Sequence, residues 1–441
     1  MLDRFTAYNQ QQHLLPTGRE VLLAVSGGRD SVAMAHLCHR AGVHFAVAHY
    51  NFGLRPGDCD HDEAFVARLA KEYGARLHVE RHDTRAYAAD HHLGIEEAAR
   101  ELRYRFFSRL CREHGYPCVA TAHHRDDSIE TFFLNLFRGT GIEGLHGIKS
   151  EAEVEGVRVV RPLLCFSRAE IDGYVSEHNL PYVEDHTNSE FCARRNRLRL
   201  QLMPLLRELY PSVDTTMEGN LRRLGEAGEV YRMYIEGLRA QLVQDYPSML
   251  ATPHPMLTGI RTADLEKLEP RRTLLFELLR GFGANAAMVD DLSEALPRGS
   301  GPLFLTPSHR LTLHRDWLLA APRQDISMPQ IEMSEATLPD RPDRSGREVY
   351  IDADKLQGRL RLRLWKRGDK FQPFGMKGSR LVSDFLTEQG LCRLEKEWVW
   401  LLEEEGGRVV WVVGLRADER FRVTNLTKRV MKISLAVPES V

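Results

Sequence analysis

The strongest constraint on the fold is the alternation of short apolar runs and helical patterns in the first third of the chain. Runs typical of strands cover Val21–Val25, His44–Ala48, Arg76–Val79 and Cys118–Thr121. Helical spacing of apolar residues predicts helices between and after these runs, over about 31–41, 60–73, 94–114 and 126–138. Strands separated by helices predict βαβ units and a parallel sheet covered on both faces, with ligands at the carboxyl ends of the strands.

The length and the pattern changes predict three domains. A chain of 441 residues is too long for one ordinary domain. The α/β pattern weakens near Tyr210-Pro211, and residues 328–347 are rich in Pro, Asp and Glu, which predicts a linker. We therefore expect an N-terminal Rossmann-like parallel sheet over 1–211, a mainly helical middle domain over 212–330 with short strands at 303–320, and a small α+β C-terminal domain over 348–441.

One helical segment leaves two interpretations open. Apolar residues from Met217 to Leu242 alternate steps of four and three, which is a heptad-like seam. Such a seam is typical of a long helix that packs on its own domain, and also of a dimeric coiled coil.

Composition narrows the class of protein. The 60 Lys and Arg residues against 62 Asp and Glu residues give a net charge of −2, so any surface for a polyanion must be local. Because there is no apolar stretch near membrane-span length and no apolar signal core, we expect a cytoplasmic protein without a membrane partner. Seven scattered cysteines without a C-x-x-C pair predict reduced thiols, and no zinc or iron–sulfur site.

The first strand is followed by a loop that is suited to phosphate. Ser26-Gly27-Gly28 allows close backbone approach and positive φ, and the helix that follows directs its first N–H groups at an anion. The lysine of the common loop G-x-x-x-x-G-K-[ST] is absent. The Ser31 hydroxyl can bind a phosphate oxygen, whereas the Asp30 carboxylate would repel phosphate unless a cation lies between them, which indicates Mg²⁺ at Asp30.

The stretch S-G-G-x-D-S resembles the PP-loop of ATP pyrophosphatases, which cleave the bond between the α and β phosphates of ATP. The resemblance implies that the loop holds the β and γ phosphates. It also implies the ATP-binding residues Ser26, Gly27, Gly28, Arg29, Asp30 and Ser31.

Further motifs resemble one family of this class, the tRNA(Ile)-lysidine synthetases. They are His49–Arg55, Gly94–Tyr104, Thr121–Thr131, Arg138–Gly141, Arg161–Leu164 and Glu184–Asn188, followed by Arg195, Asn196 and Arg199 and, more loosely, by Lys366–Leu386. This chain departs from the family where Arg194 replaces a frequent Asp, and where Leu391–Arg393 replaces a proline-tryptophan stretch.

The family resemblance implies a two-step reaction with ATP and Mg²⁺. The O2 atom of cytidine at the first anticodon position of tRNA(Ile), anticodon CAU, attacks the α-phosphate of ATP and forms an AMP ester. The ε-amine of free L-lysine then attacks C2 and expels AMP. His49 joins the ATP-binding residues in this assignment.

Three carboxylates are suited to the lysine step. The amine of free lysine has a pKa near 10.4, so the site must orient it and accept its proton. Asp126, Asp127 and Glu130 are spaced to share a helix face, and we assign lysine binding to all three. We assign catalysis to Asp30, Asp127 and Glu130, and leave open which acid accepts the proton. Asp126 or Asp127 could equally cap the helix, and for the neighbouring His123 and His124 we favour packing or phosphate contact over catalysis.

Local positive charge supplies candidate tRNA-binding residues. Residues 193–207 carry five arginines, which we expect to face no acid, and residues 355–380 carry nine Lys and Arg against Asp369 alone, with interleaved aromatic residues. For Arg100 and Arg103 the structural alternative is a solvated helix face, and for residues 359–365 it is an exposed edge strand. The assigned tRNA-binding residues are Arg100, Arg103, Arg195, Arg199, Arg361, Arg363 and Lys366.

Two other functions fit the same loop. A PP-loop tRNA thiolase normally needs a cysteine pair or an iron–sulfur C-x-x-C, and this chain has no C-x-x-C. A nucleotide-binding RNA adaptor without catalysis would not need the acid cluster at 126–130.

Overall fold

The computed structural model describes residues 1–53, 58–183, 190–299, 302–339 and 346–436. The chain divides into two compact units, Met1–Tyr231 and Arg232–Val441, and the division falls within one long helix. In the described part of the chain, no helix is both long enough and apolar enough to cross a membrane.

A six-stranded sheet forms the centre of the first unit. Its strands are β1 (Val21–Ala24), β2 (Phe45–Asn51), β3 (Leu77–Arg81), β4 (Val119–Ala120), β5 (Glu151–Val154) and β6 (Val157–Val160). The spatial order is β3-β2-β1-β4-β6-β5, and every neighbouring pair is parallel except the β5–β6 hairpin. The order reverses between β1 and β4, so the crevice of this sheet opens at the carboxyl ends of those two strands.

Helices cover both faces of this sheet. The first unit contains α1 (Leu2–Gln11), α2 (Arg29–Arg40), α3 (Asp58–Glu72), α4 (Thr84–Asp90), α5 (Ile95–His114), α6 (Arg125–Arg138), α7 (Arg168–Glu177), α8 (Glu190–Arg197), α9 (Met203–Leu209) and the start of α10 (Val213–Leu242). A π-helical turn, Leu198–Leu202, joins α8 to α9.

Alternation along β1 explains the two cores of the first unit. Leu23 and Val25 are buried in one core together with Phe65 of α3, whereas Leu22 is buried in another together with Phe106 of α5. Successive side chains of a strand point to opposite faces, so a strand that is apolar at every position is covered on both sides. The expected parallel sheet with helices on both faces is confirmed.

The second unit begins with an antiparallel sheet and short helices. The sheet has the order β7-β8-β11-β10-β9, with β7 (Gln244–Asp245), β8 (Thr258–Arg261), β9 (Phe304–Leu305), β10 (His309–His314) and β11 (Trp317–Pro322). The helices are the end of α10 and α11 (Thr262–Glu266), α12 (Arg271–Arg280) and α13 (Ala286–Ala295).

The C-terminal part of the second unit is rich in strands. One sheet has the order β12-β20-β13, a second β14-β17-β18-β19, and β15 pairs with β16. The elements are β12 (Ile331–Glu335), β13 (Glu348–Asp352), β14 (Leu360–Leu364), β15 (Lys370–Phe371), β16 (Arg380–Leu381), β17 (Trp400–Glu404), β18 (Val409–Val412), β19 (Arg416–Ala417) and β20 (Val430–Leu435), with α14 (Val382–Glu388) and α15 (Arg393–Lys396).

Two details differ from the expectations or refine them. The expected linker at 328–347 contains strand β12, which pairs with β20 and exposes most of its side chains, so composition alone could not reveal it.

The seam at 217–242 lies on α10, where Met217 and Leu221 pack against Ile129 and Met203 of their own unit. This packing favours the single-domain interpretation of the seam. The expected domain boundaries stay a prediction.

Candidate active site

The loop after β1 takes the conformation that its glycines allow. Gly27 has φ +93°, in the left-handed region that favours glycine, and its carbonyl accepts a hydrogen bond from the Val183 N–H at 3.0 Å. The Gly28 N–H donates to Ser26 Oγ at 3.3 Å. The loop is therefore held from inside and from a neighbouring segment, directly at the crevice of the sheet.

The N-terminus of α2 faces this crevice without a side-chain cap. Gly28 is its N-cap residue, and among the described residues it has no side-chain capping hydrogen bond. The first N–H groups of a helix have no intrahelical acceptor, and together with the helix dipole they form an anion site. The Ser31 hydroxyl donates to the Gly28 carbonyl at 2.8 Å and lies 3.3 Å from Ser26 Oγ, so both hydroxyls lie beside the free N–H groups.

Arg29 lines the same cavity as the phosphate loop, and its side chain already has partners. Its guanidinium donates to Asp172 at 2.7 Å and to the Tyr182 hydroxyl at 2.8 Å, and lies over the Tyr182 ring. The side chain thus ties the start of α2 to α7.

Asp30 has one satisfied and one unsatisfied oxygen. Oδ2 accepts from Arg168 at 2.9 Å, whereas Oδ1 is buried without a hydrogen-bond partner in the described structure. Burial raises the pKa of Asp30, although nearby His124 and Arg168 oppose that shift. A carboxylate oxygen that is buried and unbonded is a position suited to a cation.

His49 lies on β2 and is buried. Its Nδ1 lies 2.9 Å from the Val25 carbonyl, at the point where β1 ends. This contact fixes the imidazole beside the phosphate loop, where the sequence assigned it to ATP.

Asp126 and Asp127 both make capping contacts. Asp127 accepts from the His124 N–H at 3.0 Å and so closes a capping box at the start of α6. Asp126 accepts from the Arg168 N–H at 2.8 Å, at the start of α7, and from Arg207 at 3.0 Å. Burial alone would raise the pKa of Asp127, but His124, His123 and the N–H bond outweigh burial and lower it. Capping of α6, which the sequence left open for either residue, is therefore present for Asp127, whereas the capping contact of Asp126 is to α7.

Glu130 is the most deeply buried carboxylate of the three. Its side chain is 2% exposed and accepts from Arg199 at 2.7 and 3.1 Å, and Arg195 Nε lies 3.0 Å from it. Arg207 in turn pairs with Asp126 and Asp214. The expectation that Arg195, Arg199 and Arg207 face no acid is therefore wrong. The acids come from α6 and α10, which a reading of the segment 193–207 alone does not include.

Part of these groups lines one cavity of about 880 Å³, whereas His49, Asp126, Asp127 and Glu130 are not among its lining residues. The phosphate loop and Asp30 line one part of it, and Arg195 and Arg199, which bind Glu130, line another. Sequence reasoning missed Arg168 and Tyr182 as lining residues, because nothing in their local patterns marks a ligand site, whereas Asn196 belongs to a motif named above. His123 also lines the cavity, and burial lowers its pKa to about 4. Because this pKa lies well below 7, the imidazole is neutral near pH 7. Its Nδ1 lies 3.0 Å from Thr121 Oγ1.

Comparison with known proteins shows the family to which this chain belongs. A family model described as a PP-loop domain matches residues 3–206, a TilS substrate binding domain matches 257–323, and a TilS substrate C-terminal domain matches 360–434. The tRNA(Ile)-lysidine synthase of Bacteroides thetaiotaomicron is 37% identical over 435 residues, 97% of this chain and 98% of that protein. That of Parabacteroides distasonis is 37% identical over 451 residues, 98% and 99% of the two chains. The chain belongs to the tRNA(Ile)-lysidine synthase family. The resemblance stated from the motifs is confirmed, and the PP-loop domain implies the use of ATP.

Within this family member, two predicted tRNA-binding arginines lie on α5. Arg103 lines the cavity and its guanidinium lies over the Phe52 ring, while Arg100 lies over the Tyr104 ring. In the part of the chain that the structure describes, neither has an ion-pair partner. Both side chains are exposed, so a phosphate can reach them.

The C-terminal candidates differ from one another. Arg361 and Arg363 lie on β14, an edge strand, and both pair with the buried Glu403 of β17, at 2.6 Å for Arg363. Arg363 also pairs with Asp369 at 2.7 Å. The expectation that Asp369 is the only acid facing this stretch is wrong, whereas Lys366 is exposed and has no ion pair within the described residues.

Two motifs that contributed to the resemblance lie outside the described residues, in whole or in part. They are Leu54 and Arg55 of the stretch after β2, and the stretch Glu184–Asn188.

Proposed function

We propose that this chain uses ATP to join free L-lysine to C2 of the cytidine at the first anticodon position of a tRNA(Ile) with the anticodon CAU. Family membership and the names of its relatives support this function. The observation that carries it is that one cavity is lined both by an uncapped helix N-terminus and by two arginines held on a buried carboxylate. The first is suited to ATP phosphates, and the carboxylate that the arginines cover is suited to a cationic co-substrate that takes the place of one of them.

In the first step, the cytidine O2 attacks the α-phosphorus of ATP. The bond from that phosphorus to the β-phosphate oxygen breaks, and diphosphate leaves. The N–H groups at the start of α2 and the Ser26 and Ser31 hydroxyls would hold the departing β and γ phosphates, because they face the crevice without competing side-chain caps.

Asp30 fits a magnesium ion. Its Oδ1 is buried and has no hydrogen-bond partner within the described residues. Nowhere in those residues do three or more His, Cys, Asp or Glu side chains form a metal-binding group, so substrate phosphates and water would complete the coordination, as is usual for Mg²⁺. Bound there, the ion would offset the negative charge of the phosphates.

In the second step, the lysine Nε gives its proton to one of the assigned acids and attacks C2, the C2–O2 bond breaks, and AMP leaves with that oxygen. Glu130 supports the lysine assignment because it already binds two guanidinium groups from a buried position. Asp127 lies one turn earlier on α6, 3.4 Å from Arg199. An ammonium that takes the place of Arg199 would keep the buried charge of Glu130 compensated.

A product analysis tests this function. The protein is incubated with α-labelled ATP, labelled lysine and a tRNA(Ile) transcript with the anticodon CAU. We expect labelled AMP and lysine-labelled tRNA in equal amounts. When the first anticodon cytidine is changed to uridine, the tRNA should stay unlabelled. The Asp30→Asn variant should lose both products while its circular dichroism spectrum stays unchanged.

Three results would contradict the proposal. ADP as the main product would exclude cleavage between the α and β phosphates. Sulfur transfer to the tRNA would indicate the thiolase alternative. Binding of ATP and tRNA without any turnover would indicate a non-catalytic adaptor.

A further inference from the structure

A second cavity lies in the first unit, outside the groups that line the ATP cavity. It measures about 530 Å³ and is formed where the end of α6 meets α8, the π-helical turn and α9. Its lining includes Leu134, Phe137, Arg194, Arg197, Leu198 and Leu205. We refer to it as the Phe137 groove.

The groove exposes apolar side chains that a folded core would normally bury. The Phe137 side chain is 67% exposed and Leu205 is 50% exposed, although both belong to regular helices. Phe137 has one aromatic neighbour, Phe133, whose ring is stacked with a centroid distance of 6.0 Å. Exposed apolar groups that adjoin one another in a concave surface commonly mark a binding site.

The charge of the groove indicates an anionic occupant. Arg194 and Arg197 are exposed, and neither has an ion pair with any residue that the structure describes. Their neighbours Arg195 and Arg199 are instead paired with Glu130. Exposed guanidinium groups beside an exposed aromatic ring are the combination by which proteins bind single-stranded nucleic acid, with phosphates on the arginines and bases stacked on the ring.

The position of the groove relates it to the reaction. The helical segment that begins with α8 directs Arg195, Asn196 and Arg199 into the ATP cavity and Arg194 and Arg197 into the groove. Helical periodicity explains the division, since residues three and four apart share a face. A helix with its side chains is about 10–12 Å wide, so a short single-stranded segment can reach both sites.

We propose that the Phe137 groove binds the unstacked base of a nucleotide that adjoins the target cytidine, with the base on the Phe137 ring and the flanking phosphates on Arg194 and Arg197. This inference rests on the proposed function, because it takes the anticodon loop as the RNA. The groove would hold the loop open so that the cytidine can enter the ATP cavity.

A fluorescent hairpin tests the groove without requiring turnover. The probe is a tRNA(Ile) anticodon stem-loop with 2-aminopurine next to the target cytidine, whose fluorescence falls when its base stacks on an aromatic ring. We expect quenching with the unchanged protein and with Phe137→Trp. Phe137→Leu keeps an apolar side chain but removes the aromatic ring, so it should lose the quenching and weaken binding about tenfold or more. Leu200→Ala is the matched control, because Leu200 is 72% exposed and lies outside the groove.

Salt dependence tests the two arginines. Replacing Arg194 and Arg197 together by alanine should flatten the log–log dependence of hairpin binding on salt by about one to two units, since each phosphate contact contributes roughly 0.7–0.9. Equal quenching in Phe137→Leu and the unchanged protein would overturn the proposal. A Phe137→Leu variant with unchanged RNA binding but an altered oligomeric state would also overturn it, in favour of an interface between copies. Normal quenching without lysine transfer would support the groove and refute the proposed function.

Discussion

Replacing Glu130 by glutamine should destabilise the first unit by about 1–3 kcal/mol. The carboxylate is 2% exposed and binds Arg199 through two contacts, while Arg195 Nε lies 3.0 Å away. A glutamine of the same shape keeps one acceptor oxygen but removes the negative charge. Two guanidinium groups then face a neutral amide.

The size of this loss in the free energy of unfolding depends on how far water can replace Glu130 as the partner of the two arginines. Removing one member of a fully buried pair costs about 3–5 kcal/mol, because it leaves an uncompensated buried charge. Here the arginine side chains are 30% and 41% exposed, so water partly replaces the lost partner and the cost falls below that range. Loss of charge-assisted hydrogen bonds, each about 1.5–3 kcal/mol, sets the remaining cost.

The measurement must report on the first unit. All five tryptophans, Trp317 and those after it, lie in the second unit, so their fluorescence would follow the wrong transition. Calorimetry or circular dichroism should show the affected transition about 3–10 °C lower. The control is Glu218→Gln, which removes a more exposed partner of Arg125 at 2.7 Å and should cost less than about 1 kcal/mol.

The same variant separates structure from substrate binding. If Glu130 also receives lysine, Glu130→Gln should raise the KM for lysine while tRNA affinity stays nearly unchanged. A melting transition equal to that of Glu218→Gln would refute the energetic reasoning. Unchanged lysine kinetics in a folded Glu130→Gln protein would remove Glu130 from the lysine site.

Three further predictions concern other parts of the chain. Gly27→Ala should weaken ATP binding measured by calorimetric titration, because φ is +93°, whereas Gly42→Ala, with φ +69° in open space outside the site, should bind ATP normally. The pKa of Glu170 is about 2 in the folded chain against an ordinary 4.5. The stabilisation that its ionised carboxylate contributes is therefore present above about pH 4.5 and is lost as the pH falls towards 2. The difference in melting temperature between the unchanged protein and Glu170→Gln should shrink over that interval. Lys366→Ala should flatten the salt dependence of tRNA binding by roughly 0.7–0.9, whereas Arg363→Ala should mainly lower the stability of the second unit.

The sequence predicts best what is encoded locally. The run Val21–Val25 is apolar at every position, and a strand covered on both faces requires that pattern. The loop after it depends on Gly27, whose positive φ almost only glycine adopts without strain. Both features belong to a few consecutive residues, and so the sheet and the phosphate loop could be predicted without the structure.

Ion-pair partners that are distant in sequence could not be predicted in this way. Arg363 meets Glu403 because β14 pairs with β17, and Arg199 meets Glu130 because α8 and the turn after it pack beside α6. Counting acids within 355–380 or 193–207 cannot include these partners. The same limit applies to Asp126, which caps α7 as well as lying at the start of α6.

The ion pairs give different energetic roles to the arginines of α8 and of the π-helical turn that follows it. An RNA phosphate that binds Arg194 or Arg197 breaks no ion pair with a residue that the structure describes, so its full attraction can appear as affinity and as salt dependence. A phosphate that binds Arg195 or Arg199 must draw the guanidinium from Glu130, and the buried carboxylate then needs another cation. Because free lysine is such a cation, the exchange favours lysine at Glu130 once a phosphate holds the arginines. Affinity for RNA should therefore depend mostly on the first pair, and the lysine step on the second.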